Sequence, residues 1–255
     1  MGCRLSLVAG LATGLAAAGL TDEAATPKRL LVVSVTKGYR HESIATAEKV
    51  LQALAESSGA FALAHARSEA ELIEKAAPGA LEAWAGIVFA NTTGELPLPR
   101  PQALLDWVAA GGAFVGIHSA SDTFHGFPPY LAMLGGEFDH HGEQARVEAL
   151  VQDPDHPATR ELGRAFTVHD EIYLFKGFDR SRVRVLLALD RHPNSGAPGF
   201  FPLAWTREHG RGRVFYTALG HREDVLQSDW YGKHLLGGIR WALETTPAGP
   251  RPTGR

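Results

Sequence analysis

The feature that most restricts this chain is a set of short, continuous apolar runs bounded by turn residues. Leu30-Leu-Val-Val-Ser-Val-Thr36, Gly86-Ile-Val-Phe-Ala90 and Ala113-Phe-Val-Gly-Ile117 are too short for ordinary helices and too apolar for strands with one wet face. Runs of this kind read as strands buried on both faces, the situation of a parallel sheet covered by helices. Between them the pattern turns helical. Ile44, Ala47, Leu51 and Leu54 fall on one helical face that Gly59 closes, and Pro101 to Ala110 forms a helix ended by Gly111-Gly112. Phe61 to Ala66 reads as a further strand, with Ser68 as the N-cap of a short helix behind it. Alternation of this type implies right-handed crossovers and an α/β sandwich of three layers.

The second half has another texture. Val147 to Val151, Phe166 to Val168, Val183 to Leu189, Pro202 to Thr206 and Arg213 to Ala218 are strand-like and mostly separated by Pro- and Gly-containing turns. Strands that follow one another without helices imply antiparallel additions to the sheet. Only Tyr231 to Leu243 reads as a helix there. With no internal repeat and no dividing linker, residues 28–245 form one α/β domain, and the Pro/Gly/Arg segment 246–255 reads as a disordered tail.

Arg4 precedes an uncharged, apolar stretch from Leu5 to Leu20, followed by the polar residues Thr21 to Pro27. This is the outline of a secretory signal peptide over residues 1–25, which implies a periplasmic or secreted protein with no stable membrane insertion after cleavage. Met1-Gly-Cys-Arg-Leu-Ser6 also matches a myristoylation pattern. The apolar run behind it favours export.

Charge and cysteine usage remove several function classes. The 25 basic and 28 acidic residues give a formal net charge of −3, which provides no basic face for nucleic acid. Against 12 histidines stands one cysteine, Cys3, so neither a disulfide framework nor a cysteine zinc site is available. The loop after the first strand, Lys37-Gly-Tyr-Arg-His41, fits neither the dinucleotide fingerprint nor the P-loop, so no nucleotide or flavin is expected. No feature of the sequence specifies an oligomeric state.

In open parallel sheets ligands bind beyond the carboxyl ends of the strands. The strands here deliver Tyr39-Arg40-His41-Glu42, Asn91-Thr92-Thr93, His118-Ser119-Ala120-Ser121-Asp122 and Gly220-His221-Arg222 to that edge. Gly116-Ile-His-Ser-Ala120 has the small-x-nucleophile-x-small spacing of a nucleophile elbow, with His118 at the apex. Histidine there suits proton transfer or metal ligation; the alternative is that His118 merely ends the strand while Ser119 or Ser121 caps the next helix. Ser119 as a nucleophile would lie one place past the apex. His169-Asp-Glu171 places Glu171 as a general base or sugar-hydroxyl acceptor if it faces the pocket, and as ordinary surface if the segment is an edge strand. His140 and His141 fall in a Gly-containing loop where they could reach a ligand or metal, with a solvated loop as the equal alternative, and His125 lies in Phe/Gly/Pro surroundings that read as a loop. His65, His156, His192, His209 and His234 read as structural or exposed. No metal motif has a specific spacing, but a divalent ion such as zinc could be held by distant loops, with His41, His118 and His221 as candidates.

Together these segments resemble the ThuA-like family, named for trehalose utilisation. The resemblance runs from about residue 30 to 243 through Tyr39-Arg-His-Glu42, Gly116-Ile-His-Ser-Ala-Ser-Asp122, Leu134-Gly-Gly-Glu-Phe138, Asp153-Pro-Asp-His-Pro157, Asp170-Glu-Ile-Tyr173, Pro202-Leu-Ala-Trp205 and Gly212-Arg-Val-Phe-Tyr-Thr-Ala-Leu-Gly-His221. It implies a flavodoxin-like fold related to class I glutamine amidotransferases, and a role in carbohydrate metabolism. Because His118 occupies the place of the amidotransferase cysteine, glutamine hydrolysis through a thioester is excluded. A site of His41, His118, His221, Glu171 and Asp122 suits acid–base hydrolysis or isomerisation of a glycoside, disaccharide or keto-sugar. Tyr39, Arg40, Asn91, Ser119 and Trp205 are the candidates for substrate contacts. A non-catalytic carbohydrate-binding module on the same fold is the alternative.

Overall fold

The computed structural model describes residues 1–2 and 27–244; most of the leader and all of the tail expected from the sequence lie outside the described residues. The first half alternates strands and helices: β1 (Lys28–Val33), α1 (Ile44–Ser58), β2 (Phe61–Ala66), α2 (Glu69–Lys75), β3 (Gly86–Ala90), α3 (Pro101–Ala109) and β4 (Ala113–Ile117). Helix α1 buries Ile44, Ala47, Leu51 and Ala55, and stops where Gly59 adopts a left-handed φ of 59° and donates its N–H to Ala55 O. Ser68 and Glu71 form a reciprocal capping box at the start of α2.

The second half contains α4 (Pro128–Leu134), β5 (Glu137–His141), β6 (Ala145–Val151), β7 (Ala165–Asp170), β8 (Tyr173–Lys176), β9 (Arg184–Arg191), β10 (Pro198–His209), β11 (Gly212–Thr217), α5 (Glu223–Leu226) and α6 (Asp229–Leu243). Nine strands form one sheet in the order β2-β1-β3-β4-β11-β10-β9-β6-β7, and β5 and β8 make a separate antiparallel pair. Strands β2, β1, β3, β4 and β11 run parallel, whereas β10, β9, β6 and β7 follow antiparallel. Alternate residues feed the two faces. Leu30, Val32, Val88 and Val115 join α1 and α6 on one side, while Leu31, Val33, Phe89 and Phe114 join α2, α3 and α4 on the other. This is the three-layer, flavodoxin-like sandwich.

Three expectations for the second half need correction. β11 is not an antiparallel addition but pairs parallel with β4, because the chain lays down the outer strands first and returns through the β10–β11 hairpin. The expected loop holding His140 and His141 is strand β5, paired with β8 through a register shift after Phe138. Two further helices, α4 and α5, are also present; Pro128 and Pro129 open α4, where their missing N–H groups cost nothing.

From β1 the chain passes outward to β2 and then back across to β3 and β4. The strand order therefore reverses beside β1, and the crevice at the carboxyl ends of the strands there is where ligands bind in sheets of this kind.

Candidate active site

His118 is the first residue after β4, wholly buried, with a left-handed φ of 46°. A side chain at Gly116 would approach Tyr216 Cδ2 to 2.9 Å and Ala120 Cβ to 3.2 Å, so the sharp turn needs the small residues flanking the apex. Tyr216 Oη donates to His118 O at 2.6 Å and shares a 2.8 Å hydrogen bond with Ser121 Oγ, while Tyr130 Oη donates to Ala120 O at 2.8 Å. These buried hydroxyls hold a backbone conformation that costs on the order of 1–3 kcal/mol for a non-glycine residue. The turn is a strained elbow, not simply a strand end.

Four chain segments meet above it. One ligating atom from each of His41, His118, Glu171 and His221 lies within 4.8 Å of the others. Glu171 Oε2 stands 3.4 Å from His118 Nε2 and 3.1 Å from His221 Nδ1, and Glu171 Oε1 stands 3.2 Å from His141 Nδ1. The His41 ring packs edge-on against His118 at 4.8 Å and His221 at 5.2 Å between centroids. His118 Nδ1 donates to Ala218 O at 2.7 Å, which fixes the tautomer and turns Nε2 toward Glu171. Ser119 Oγ contacts His41 Nδ1 at 3.3 Å from beneath.

The electrostatics separate these groups. Burial, then the neighbouring imidazoles of His118 and His221, push His41 down to about 3, so it is neutral at physiological pH. Burial opposes charge on Glu171, but the contacts from His118 and His221 outweigh it and hold the carboxyl well below the usual carboxylate range. His221 moves the other way, raised by its contact with Glu171. An anion, a neutral imidazole and an imidazole that favours its proton thus share one floor.

That floor opens into a pocket of about 440 Å³ lined by Tyr39, His41, Asp122, Phe138, His141, Glu171, Tyr173 and His221. His118 and Ser119 are wholly buried below it, so Ser119 acts on the site through His41 rather than as an exposed nucleophile. Asp122 forms part of the wall and contacts His125 Nε2 at 2.7 Å, and His125 Nδ1 contacts Glu137 Oε1 at 2.6 Å.

Besides Ser119, three expected substrate contacts are not brought into the pocket. Trp205 is wholly buried among Phe175, Phe178 and Tyr216 and donates Nε1–H to Leu134 O, because β10 is a central strand whose aromatic belongs to the core. The Arg40 guanidinium turns back to Ser34 O. Asn91, buried at φ 52°, clamps Ser43 Oγ and Gly220 O.

The sequence reading missed two contributors and underrated a third. Asp170 is wholly buried; its Oδ2 accepts from Gly220 N–H at 2.7 Å, and its Oδ1 from the N–H groups of Arg222 and Glu171 at 3.0 Å each. It therefore brackets His221 and sets Glu171 in one step, a role that its position beside Glu171 could have signalled. Tyr173 lies over the His118 ring at 4.2 Å. His141 reaches Glu171 because β5 pairs with β8, an association between strands distant in sequence.

A histidine stands at the elbow of this flavodoxin-like α/β sheet, with further imidazoles and a carboxylate facing it. The chain belongs to the ThuA family, described as trehalose utilisation, which matches residues 29–242. Its fold is similar to that of a ThuA-like protein from Bacteroides uniformis, at 21% identity and a TM-score of 0.70, covering 88% of this chain and 94% of that one. A ThuA-like protein from Parabacteroides merdae is similar at 19% identity and a TM-score of 0.69, with the same coverage. A β-galactosidase from Bacillus circulans shares the fold at 14% identity and a TM-score of 0.52, over 86% of this chain and 30% of its own. No curated protein matches this chain.

Proposed function

We propose that the protein is an exported enzyme that hydrolyses or isomerises a glycoside, disaccharide or keto-sugar with the histidine and carboxylate groups of this pocket. The observation that carries the reading is the convergence of His41, His118 and His221 around Glu171 at the carboxyl ends of the strands. Reactions of this class need one proton delivered and another removed, and groups whose environments drive their proton affinities apart supply both roles. On the pocket wall, Asp122 and the half-exposed His141 add a carboxylate and an imidazole in reach of substrate hydroxyls.

The shape supports a polar substrate larger than one ring. A second pocket of about 330 Å³, lined by Glu42, Ser43, Gln144, Arg222, Glu223 and Asp224, meets the first at Tyr39 and His221. Both volumes are in the range of small-ligand sites. Tyr39 is 65% exposed at the junction, where its ring offers a stacking face to a sugar. The family's description, trehalose utilisation, points to the same substrate class. Export rests on the apolar leader at Leu5 to Leu20, and among the described residues no helix is long and apolar enough to cross a membrane.

The test is to incubate the purified protein with disaccharides, their keto derivatives and simple glycosides, following products by NMR and binding by calorimetry. The expected outcome is a new sugar product from at least one of them. Saturable sugar binding without product over long incubation would identify a binding module instead, and neither binding nor product would overturn the carbohydrate reading.

A further inference from the structure

We infer that the floor of the pocket is a binding site for one divalent transition-metal ion, held by His41, His118, Glu171 and His221. Three imidazoles and one carboxylate form a donor set suited to zinc and its transition-series neighbours, whereas calcium and magnesium prefer all-oxygen surroundings. Donor atoms bound at about 2.0–2.2 Å to a tetrahedral ion stand roughly 3.3–3.6 Å apart. Glu171 Oε2 already lies 3.4 Å from His118 Nε2 and 3.1 Å from His221 Nδ1, and no pair in the set exceeds 4.8 Å.

An independent observation points to a ligand. His118 Nε2 and His221 Nδ1 are buried nitrogens that stand close to Glu171 but are not aligned for a hydrogen bond with it, and neither has another partner. Leaving a buried polar atom unsatisfied costs about 1–3 kcal/mol, so two such atoms aimed at one carboxylate oxygen are a poor arrangement for structure alone. His118 itself is wholly buried. An ion between these atoms would satisfy both.

The surrounding contacts are those that ligating histidines need. A metal-bound imidazole donates its other ring N–H to a fixed acceptor, which sets the tautomer and ring angle. His118 does this through Nδ1 to Ala218 O at 2.7 Å, and His41 Nδ1 has Ser119 Oγ at 3.3 Å. Each ligand comes from a different strand end, and Asp170 ties the Glu171 and His221 segments together. His41, Glu171 and His221 border the pocket while His118 closes the cluster from below, so a substrate oxygen could reach the ion from the pocket side. With these four residues as ligands, Asp122 and His141 remain for proton movement. The inference thus supplies a cofactor to the enzyme proposed above, but its test requires no substrate.

The experiment uses the full chain, stripped with a chelator and titrated with Co²⁺ and Zn²⁺. Binding is read by calorimetry and, for Co²⁺, by visible ligand-field absorption, and metal analysis of protein purified without chelator accompanies it. One saturable equivalent per chain is expected, with a rise in thermal midpoint on loading. Glu171→Gln and His118→Ala should each weaken binding by more than the 10–100-fold typical of losing an outer-shell partner. Asp122→Asn should bind as the wild type does, and circular dichroism checks that every variant is folded. Absence of saturable binding, or equal affinity in folded Glu171→Gln and His118→Ala, would overturn the metal site while leaving sugar turnover as a separate measurement. Tight metal binding with no activity on any sugar would support the site and count against the carbohydrate reading alone.

Discussion

Asp170 and Tyr216 show how single side chains hold this site without facing the pocket. Asp170 is pushed up by burial, against the contrary pull of His118 and of three backbone N–H groups, and those N–H bonds set the spacing between Glu171 and His221. The turn it grips needs Gly220: at φ 114°, a side chain there would meet Tyr231 Oη at 2.8 Å. Tyr216 performs the corresponding task for His118, donating to its carbonyl and pairing with Ser121. Tyr216→Phe removes the 2.6 Å donor to that carbonyl and leaves it only the long 3.4 Å bond from Ser121 Oγ, at about 1–3 kcal/mol. For a chain of this size each kcal/mol lowers the thermal midpoint by about 2–4 °C. We expect that loss of stability together with reduced turnover, measured by thermal unfolding and a product assay; an unchanged midpoint would contradict the bracing role.

At the scale of elements, the parallel half was legible because its signals are local. Leu30 to Thr36, Gly86 to Ala90 and Ala113 to Ile117 are buried on both faces, so their composition alone marks them, and Gly59 and Ser68 mark helix ends. The rest was illegible for identifiable reasons. Glu137 to His141 is largely exposed and becomes a strand only by pairing with Tyr173 to Lys176, which nothing nearby in the sequence announces. Pro128-Pro129 reads as a loop when the residues behind it are not weighed as a helix. His41, His118, His221 and Glu171 could be picked out because each closes or follows a strand, whereas Trp205 resembled a binding aromatic until its strand proved central. Helix α2 provides a control remote from the pocket. Ser68→Ala removes its capping box and should cost about 1 kcal/mol, seen in a urea unfolding curve, with turnover unchanged. A matching loss of turnover would mean that α2 is coupled to the site.

For the whole molecule, the loss of stability in acid has a part that lies outside the pocket, in His234 and His156. Burial pushes His234 down to about 4, and burial followed by Arg184 pushes His156 down to about 4. Both titrate near 6.5 in the unfolded chain. Between these values the unfolded chain binds more protons than the folded one, so stability rises with pH through that window and is lost as pH falls from about 6.5 toward 4. For the wholly buried His234 the loss is on the order of a few kcal/mol. His234→Gln, which keeps a donor for Ala158 O, should flatten the dependence of unfolding free energy on pH in that window; an unaltered slope would contradict the assignment.

The same sheet that buries these histidines delivers His41, His118 and His221, with Glu171, to one edge, and we propose that this cluster under the pocket is the working centre. It is tested most directly by comparing wild type with His118→Ala on the sugar that the wild type converts, with circular dichroism confirming the fold. Removing an acid–base group or its support costs about 10²–10⁴-fold in rate, and a loss of at least about 100-fold in kcat/KM is expected here. Turnover by a folded His118→Ala variant within a few-fold of wild type would contradict the account.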